Sequence, residues 1–180
     1  MKLMFASDIH GSEYYAKAVC DILKREEAEK LVLLGDILYH GPRNDLPREY
    51  NPKKVIELFN AIKEKILCVR GNCDTEVDQM VLSFPVLADY GYIYDGKTTM
   101  YLSHGHIYNP SNLPPCEKGI VLINGHTHIY AAEEHDWGVY LNPGSVSIPK
   151  NGNPPTYMIY EDGEFEIKEL DGKTVLSFSI

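Results

Sequence analysis

The chain has few cysteines, no basic cluster, no long apolar run and no internal repeat, and each shortage excludes something. Its four cysteines, Cys20, Cys68, Cys73 and Cys116, show no C-x-x-C spacing, so no disulfide framework is implied. Cys20 and Cys68 fall in apolar segments and read as small buried hydrophobes. The N-terminal stretch MKLMFASD reaches an aspartate too soon to be a signal-peptide core or a membrane span. A cytoplasmic protein without a membrane partner is the expectation. The 17 Lys and Arg against 26 Asp and Glu leave a formal charge of −9. With no basic patch, stable binding to nucleic acid is not expected. No linker or low-complexity tract divides the 180 residues, of which 44% are hydrophobic. One domain over residues 1–180 with a sizeable core follows.

The apolar runs that are present alternate in type. Residues 2–8, 30–36 and 66–72 read as buried strands. Residues 12–27 repeat Tyr15, Val19, Ile22 and Leu23 at helical spacing behind Ser12 as N-cap, and residues 51–65 do so behind Pro52. Strand–helix alternation predicts a parallel sheet covered by helices. Thr75 and Asp78 outline a capping box for a short helix over 75–82. The remainder is strand-rich, with hairpin turns at Asp95-Gly96 and Asp162-Gly163. The loops 40–52 and 106–119 are long enough to be functional.

Histidine is scarce too, at seven residues, yet four of the seven sit in two pairs, His104/His106 and His126/His128. His10 stands alone near the N-terminus, while His40 and His135 read as ordinary surface residues. The expected strands end at polar residues: Asp8 and His10, Asp36, Asn72, His104, then His126 and His128. The carboxyl ends of parallel strands line up along one edge, where ligands bind. Seven carboxylate, imidazole and amide donors without a thiolate suit divalent manganese, iron, zinc, cobalt or nickel. They are too many for one ion and suit two that share a carboxylate. Such pairs, about 3.5–4 Å apart, are the usual apparatus of phosphate ester hydrolysis.

The segments DIHG, GDILYHG, GNCD, HGH and GHTH resemble the motifs of the calcineurin-like metallophosphoesterases: D-x-H, G-D-x-x-D, G-N-H-D/E, H and G-H-x-H. The likeness to the YfcE type of phosphodiesterase runs over essentially the whole chain. It implies an α/β fold, a four-layer αββα sandwich of two mixed β-sheets flanked by helices. It implies two divalent ions, most commonly manganese. Asp8, His10, His128 and Asp36 would hold the first. Asn72, His104, His126 and the bridging Asp36 would hold the second. The implied reaction is hydrolysis of a small phosphodiester, with a hydroxide between the metals attacking phosphorus in line. Asn72, Cys73, Asp74 and His106 are the implied catalytic residues.

Three positions depart from the pattern. Tyr39 stands where a second acid is usual, and His40 replaces an arginine. Cys73 replaces the histidine that assists the leaving group beside Asp74. Losing that cation favours singly charged diesters over doubly charged monoesters. Arg43 and Asn44 are candidates for substrate contacts. A homodimer or homotetramer is expected from the extra C-terminal strands and surface aromatics. Two alternatives stay open: a metal-binding interaction scaffold of the same fold, as in retromer, and a nuclease.

Overall fold

The computed structural model describes residues 1–180. The first sheet has the order β11-β10-β9-β1-β2-β3. Its strands are β1 Lys2–Ala6, β2 Lys30–Leu33, β3 Ile66–Cys68, β9 Thr156–Glu161, β10 Glu164–Glu169 and β11 Thr174–Ser179. β1, β2 and β3 are parallel, and β9 to β11 join antiparallel. The second sheet has the order β4-β5-β6-β8-β7. Its strands are β4 Tyr90–Tyr94, β5 Thr99–Ser103, β6 Ile120–Ile123, β7 Tyr130–His135 and β8 Gly138–Pro143. Here β5, β6 and β8 are parallel. Both sheets are mixed, as the fold class requires.

Strand alternation builds the layers. Met4, Ala6, Leu31 and Leu33 point toward the helices. Their neighbours Leu3, Phe5, Val32 and Leu34 point the other way, against Met100, Leu102, Val121, Ile123 and Leu141 of the second sheet. A strand buried on both faces is apolar throughout, which is why KLMFA and KLVL show no polar alternation. Helix α1, Glu13–Arg25, starts where Ser12 Oγ accepts from the Tyr15 N–H at 3.3 Å, and buries Ala16, Val19, Cys20, Ile22 and Leu23. Helix α2, Pro52–Asn60, buries Val55 and Phe59 beside it. The outer face of the second sheet carries Tyr101, Ile120, Leu122 and Tyr140, against Tyr108 and Trp137. No helix lies between β5 and β11.

Two boundaries differ from the sequence expectation. Residues 51–65 form α2 and then a separate 3-10 turn at Lys63–Lys65. Asn60 at the break turns its side chain to Val81 O (2.8 Å) and the Ser83 N–H (2.7 Å), anchoring helix α3, Glu76–Val81. The first three strands also stop short, at Ala6, Leu33 and Cys68. The residues beyond leave the sheet as loops. α3 does carry the expected capping box, with Asp78 accepting from the Thr75 N–H at 2.7 Å.

Candidate metal centre

Those loops, with the ones after β5 and β6, bring the seven expected donors to one rim. Asp8 Oδ1 lies 3.3 Å from His128 Nε2 and 3.6 Å from His10 Nε2. Asp36 Oδ2 lies 3.7 Å from His10 Nε2 and 3.5 Å from His104 Nε2. His104 Nε2 is 3.0 Å from Asn72 Oδ1 and 3.2 Å from His126 Nδ1. Two groups therefore meet at Asp36: Asp8, His10 and His128 on one side, Asn72, His104 and His126 on the other.

Backbone carbonyls fix the rings. His10 Nδ1 donates to Tyr39 O at 2.7 Å, His104 Nδ1 to Leu34 O at 2.6 Å, and His128 Nδ1 to Ile148 O at 2.8 Å. A carbonyl only accepts, so each Nδ1 carries a proton and each Nε2 faces inward, its lone pair free once the ring is neutral. The facing Nε2 atoms of His10 and His128 are only 3.4 Å apart. Asp8 Oδ1 is fully buried with no hydrogen-bond partner. Lone pairs converging in this way, two of them imidazole nitrogens, fit divalent cations of the borderline class.

Neighbours hold the donors. Cys73 N–H donates to Asp36 Oδ1 at 2.8 Å, which leaves Oδ2 for the two groups. His126 N–H donates to Asp8 Oδ2 at 3.0 Å. The Asp74 carboxylate accepts from the N–H groups of Asp36, Ile37 and Gly71 at 2.7–2.9 Å, stapling the loop after β2 to the loop after β3. Ser145 and Ser147 both donate to Asp8 O, at 3.0 and 2.7 Å. Asp8, His10, Asp36, His126 and His128 all take left-handed φ values, from 50° to 67°. That conformation turns each side chain off its strand axis, toward the rim.

The electrostatics follow from burial and pairing. Burial pushes the Asp8 carboxyl up, but His10 and His128 bring it well below the usual carboxylate range. Burial pushes His104 down, and Asp36 and Asp8 more than reverse this, to about 9. Burial, with His104 nearby, lowers both His106 and His126. Burial together with Asp36 pushes the Cys73 thiol up to about 12, so it is neutral.

A cavity of about 470 Å³ opens over the rim, lined by His10, Asp36, Asn72, Cys73, His126 and His128. Arg43 and Asn44 reach it, as expected. His106 is exposed and lies outside it, its ring centroid 5.4 Å from that of His104. His40 corrects the sequence expectation: it is half-buried, packed between Tyr39 and Tyr50, because the 40–52 loop folds back over it. His135 is exposed. Sequence reasoning missed Lys150 and Thr127 on the cavity wall and both serines behind Asp8. The serines lie in NPGSVS, whose Asn, Pro and Gly are turn residues and do not mark them out.

Residues 1–163 match the family model described as the calcineurin-like phosphoesterase superfamily domain. The chain belongs to this superfamily. It is 45% identical over 177 residues to phosphodiesterase YfcE of Escherichia coli K12, covering 98% of this chain and 96% of that one. A solved structure of the E. coli phosphoesterase YfcE superposes with a TM-score of 0.97, over all of both chains. A probable metallophosphoesterase of Bacillus subtilis, YsnB, is 26% identical over 195 residues, 98% of this chain and all of that one. Metallophosphoesterase membership accounts for the two sheets and for a metal-binding rim. No helix of the chain is long and apolar enough to cross a membrane.

Proposed function

We propose that this metallophosphoesterase is a phosphodiesterase that uses two divalent cations to hydrolyse small phosphodiesters. The observation that carries this is the convergence of inward lone pairs on both sides of Asp36, with Asp8 Oδ1 left unpaired. The relationship to phosphodiesterase YfcE supports the diester preference. Asp8, His10, His128 and Asp36 would hold one ion; Asp36, Asn72, His104 and His126 the other. Bound there, the pair lowers the pKa of a water and offsets charge on the phosphoryl oxygens. Manganese is the favoured metal.

The chain's own residues do the rest. Asp36 is fixed through one oxygen by the Cys73 N–H, which leaves the other between His10 and His104. Asn72 Nδ2 donates to Cys73 Sγ at 3.3 Å and keeps one N–H for a phosphoryl oxygen, its Oδ1 facing His104. Arg43 and Lys150 supply positive charge at the cavity wall. Cys73 adds none, and a monoester dianion therefore gains less than a diester monoanion. Asp74 acts by holding the two loops together. Solvent, His106 or the Cys73 thiol supplies the leaving oxygen's proton. Self-association through the exposed Tyr90, Tyr92 and Tyr94 of edge strand β4 is part of the same proposal, as is a cytoplasmic location.

The test is metal-stripped protein restored with each divalent ion and assayed on matched mono- and diesters, beside Asp36→Asn. Diester hydrolysis that needs the metal and is lost in the variant is expected. A variant with normal metal content and full diesterase activity would overturn the assignment.

A further inference from the structure

A second cavity, of about 450 Å³, adjoins the first. His126 and Thr127 line both, so the two cavities share a wall at one of the donors. Their charges differ. Arg43 and Lys150 line the first; the second has no lysine or arginine and one carboxylate, Glu133.

The second cavity is built rather than incidental. Its floor includes Asn124, which is 1% exposed. The Asn124 amide nitrogen donates to Ser103 O and Ile123 O, both at 3.1 Å, and to Ser103 Oγ at 2.9 Å. Two carbonyl acceptors fix the amide's orientation, and its oxygen is left buried without a donor. Ser103 Oγ in turn donates to Tyr108 O at 2.9 Å. The wall above is braced by Asn109. Its Nδ2 donates to Gly105 O at 3.0 Å, and its Oδ1 accepts from the Ser111 and Asn112 N–H groups at 2.9 and 3.1 Å. Tyr140, across the β7–β8 ladder from Glu133, accepts from Asn142 Nδ2 at 3.1 Å and keeps its own hydroxyl proton to donate. Among the residues that line this cavity Glu133 is the one carboxylate, half exposed, and an arm that brings a cation would meet it.

A phosphodiester carries two ester arms. With phosphorus held at the rim, one arm can pass the shared wall at His126 into the second cavity. Resting on the diesterase reading above, we propose that the second cavity receives one arm of the substrate, and that Glu133 selects an arm ending in an ammonium group over an anionic one. An arm bearing hydroxyls falls between, because it carries no charge. Glu133 also lies 3.2 Å from His135 Nε2, at the outer lip of the cavity. Its side chain is about half exposed, so replacing it leaves the core untouched.

The experiment uses metal-restored full-length protein and three phenyl phosphodiesters. Their second arms are n-propyl, 2-ammonioethyl and 2-carboxyethyl. The expected order of kcat/KM is ammonium, then propyl, then carboxylate, with about tenfold between the extremes, as one attraction and one repulsion across a wet lip would give. Glu133→Gln should compress that ratio to about twofold, and Glu133→Lys should reverse the order. Glu134→Gln, a carboxylate on the opposite face of β7, should leave the ratio as it is. Hydrolysis of all three with a ratio that Glu133→Gln does not move would overturn the subsite and leave the diesterase reading standing. Equal compression by Glu134→Gln would also overturn it, by assigning the preference to bulk charge. No hydrolysis of any of the three, with metal bound, would remove the diesterase reading and the subsite with it.

Discussion

Gly71 has no side chain because the carboxylate of Asp36 occupies the place where its β-carbon would stand. The loop after β3 thus serves as a backstop for the residue that joins the two donor groups. Gly35, one residue before Asp36, leans on the same spot from the other side: a β-carbon there would meet the Gly71 backbone.

Gly71→Ala is therefore expected to displace Asp36 rather than merely to crowd a turn. Roughly 2 kcal/mol of stability should be lost, in the usual range for overpacking. Metal content after dialysis against manganese should fall well below that of the parent. Elemental analysis beside a denaturant melt checks both. Loss of stability with full metal content would mean that the backbone at Asp36 yields while its carboxylate keeps its place.

The rim should stabilise the fold when filled. A ligand at 100 times its Kd adds about 2.7 kcal/mol, so saturating manganese should raise the melting temperature and a chelator should reverse the rise. In Asp36→Asn the rise should shrink or vanish. Differential scanning calorimetry gives the answer.

Cation binding should release protons. His10 and His104 are raised, His104 to about 9. Below that pH the cation-free site holds a proton on His104, which an arriving ion must displace. Apparent affinity should climb from pH 6 toward pH 9 and then level. Calorimetric titration in buffers of different ionisation enthalpy reads the proton count directly, and pH-independent affinity would contradict it.

Cys73→His tests what the neutral thiol withholds. An imidazolium above the cavity should favour a doubly charged monoester over a diester by about tenfold relative to the parent, a gain of about 1.4 kcal/mol. The gain should fade as pH rises and the ring loses its charge. Steady-state kinetics on a matched monoester and diester pair measures the ratio.

Far from the rim, Glu26 ties α1 to the sheet. It accepts from Tyr157 Oη at 2.5 Å and lies 3.4 Å from Lys168 Nζ. Burial pushes its carboxyl up, but Tyr157 and Lys168 bring it below its ordinary value. A carboxyl depressed in the folded state stabilises above its unfolded pKa, near 4.5, and that contribution is lost as pH falls through the folded value. Glu26→Gln should cost about 1 kcal/mol at pH 7 and less at pH 3. Urea melts at the two pH values make the comparison.

The layers were legible because strands buried on both faces have no polar alternation to obscure them. KLVL and IVLI announce themselves by composition. The donors were legible too, since Asp36 and His126 directly follow a glycine and sit just beyond such runs. The division of 51–65 was not, because what ends α2 is Asn60 bonding to α3, a contact between residues 21 and 23 positions apart. The two serines behind Asp8 were hidden for a similar reason: their relation to residue 8 spans more than 130 positions. Nothing local distinguishes them from turn residues.

The left-handed backbone at Asp8, His10, Asp36, His126 and His128 has an evolutionary corollary. Glycine adopts that geometry without penalty, whereas other residues forgo roughly 1 kcal/mol each. Replacing one of the five with glycine would relieve that strain but remove a donor, and at Asp8, His10, Asp36 and His128 a buried hydrogen bond as well. The strained backbone is thus held in place by the same bonds that orient the chemistry, and neither can be selected away alone.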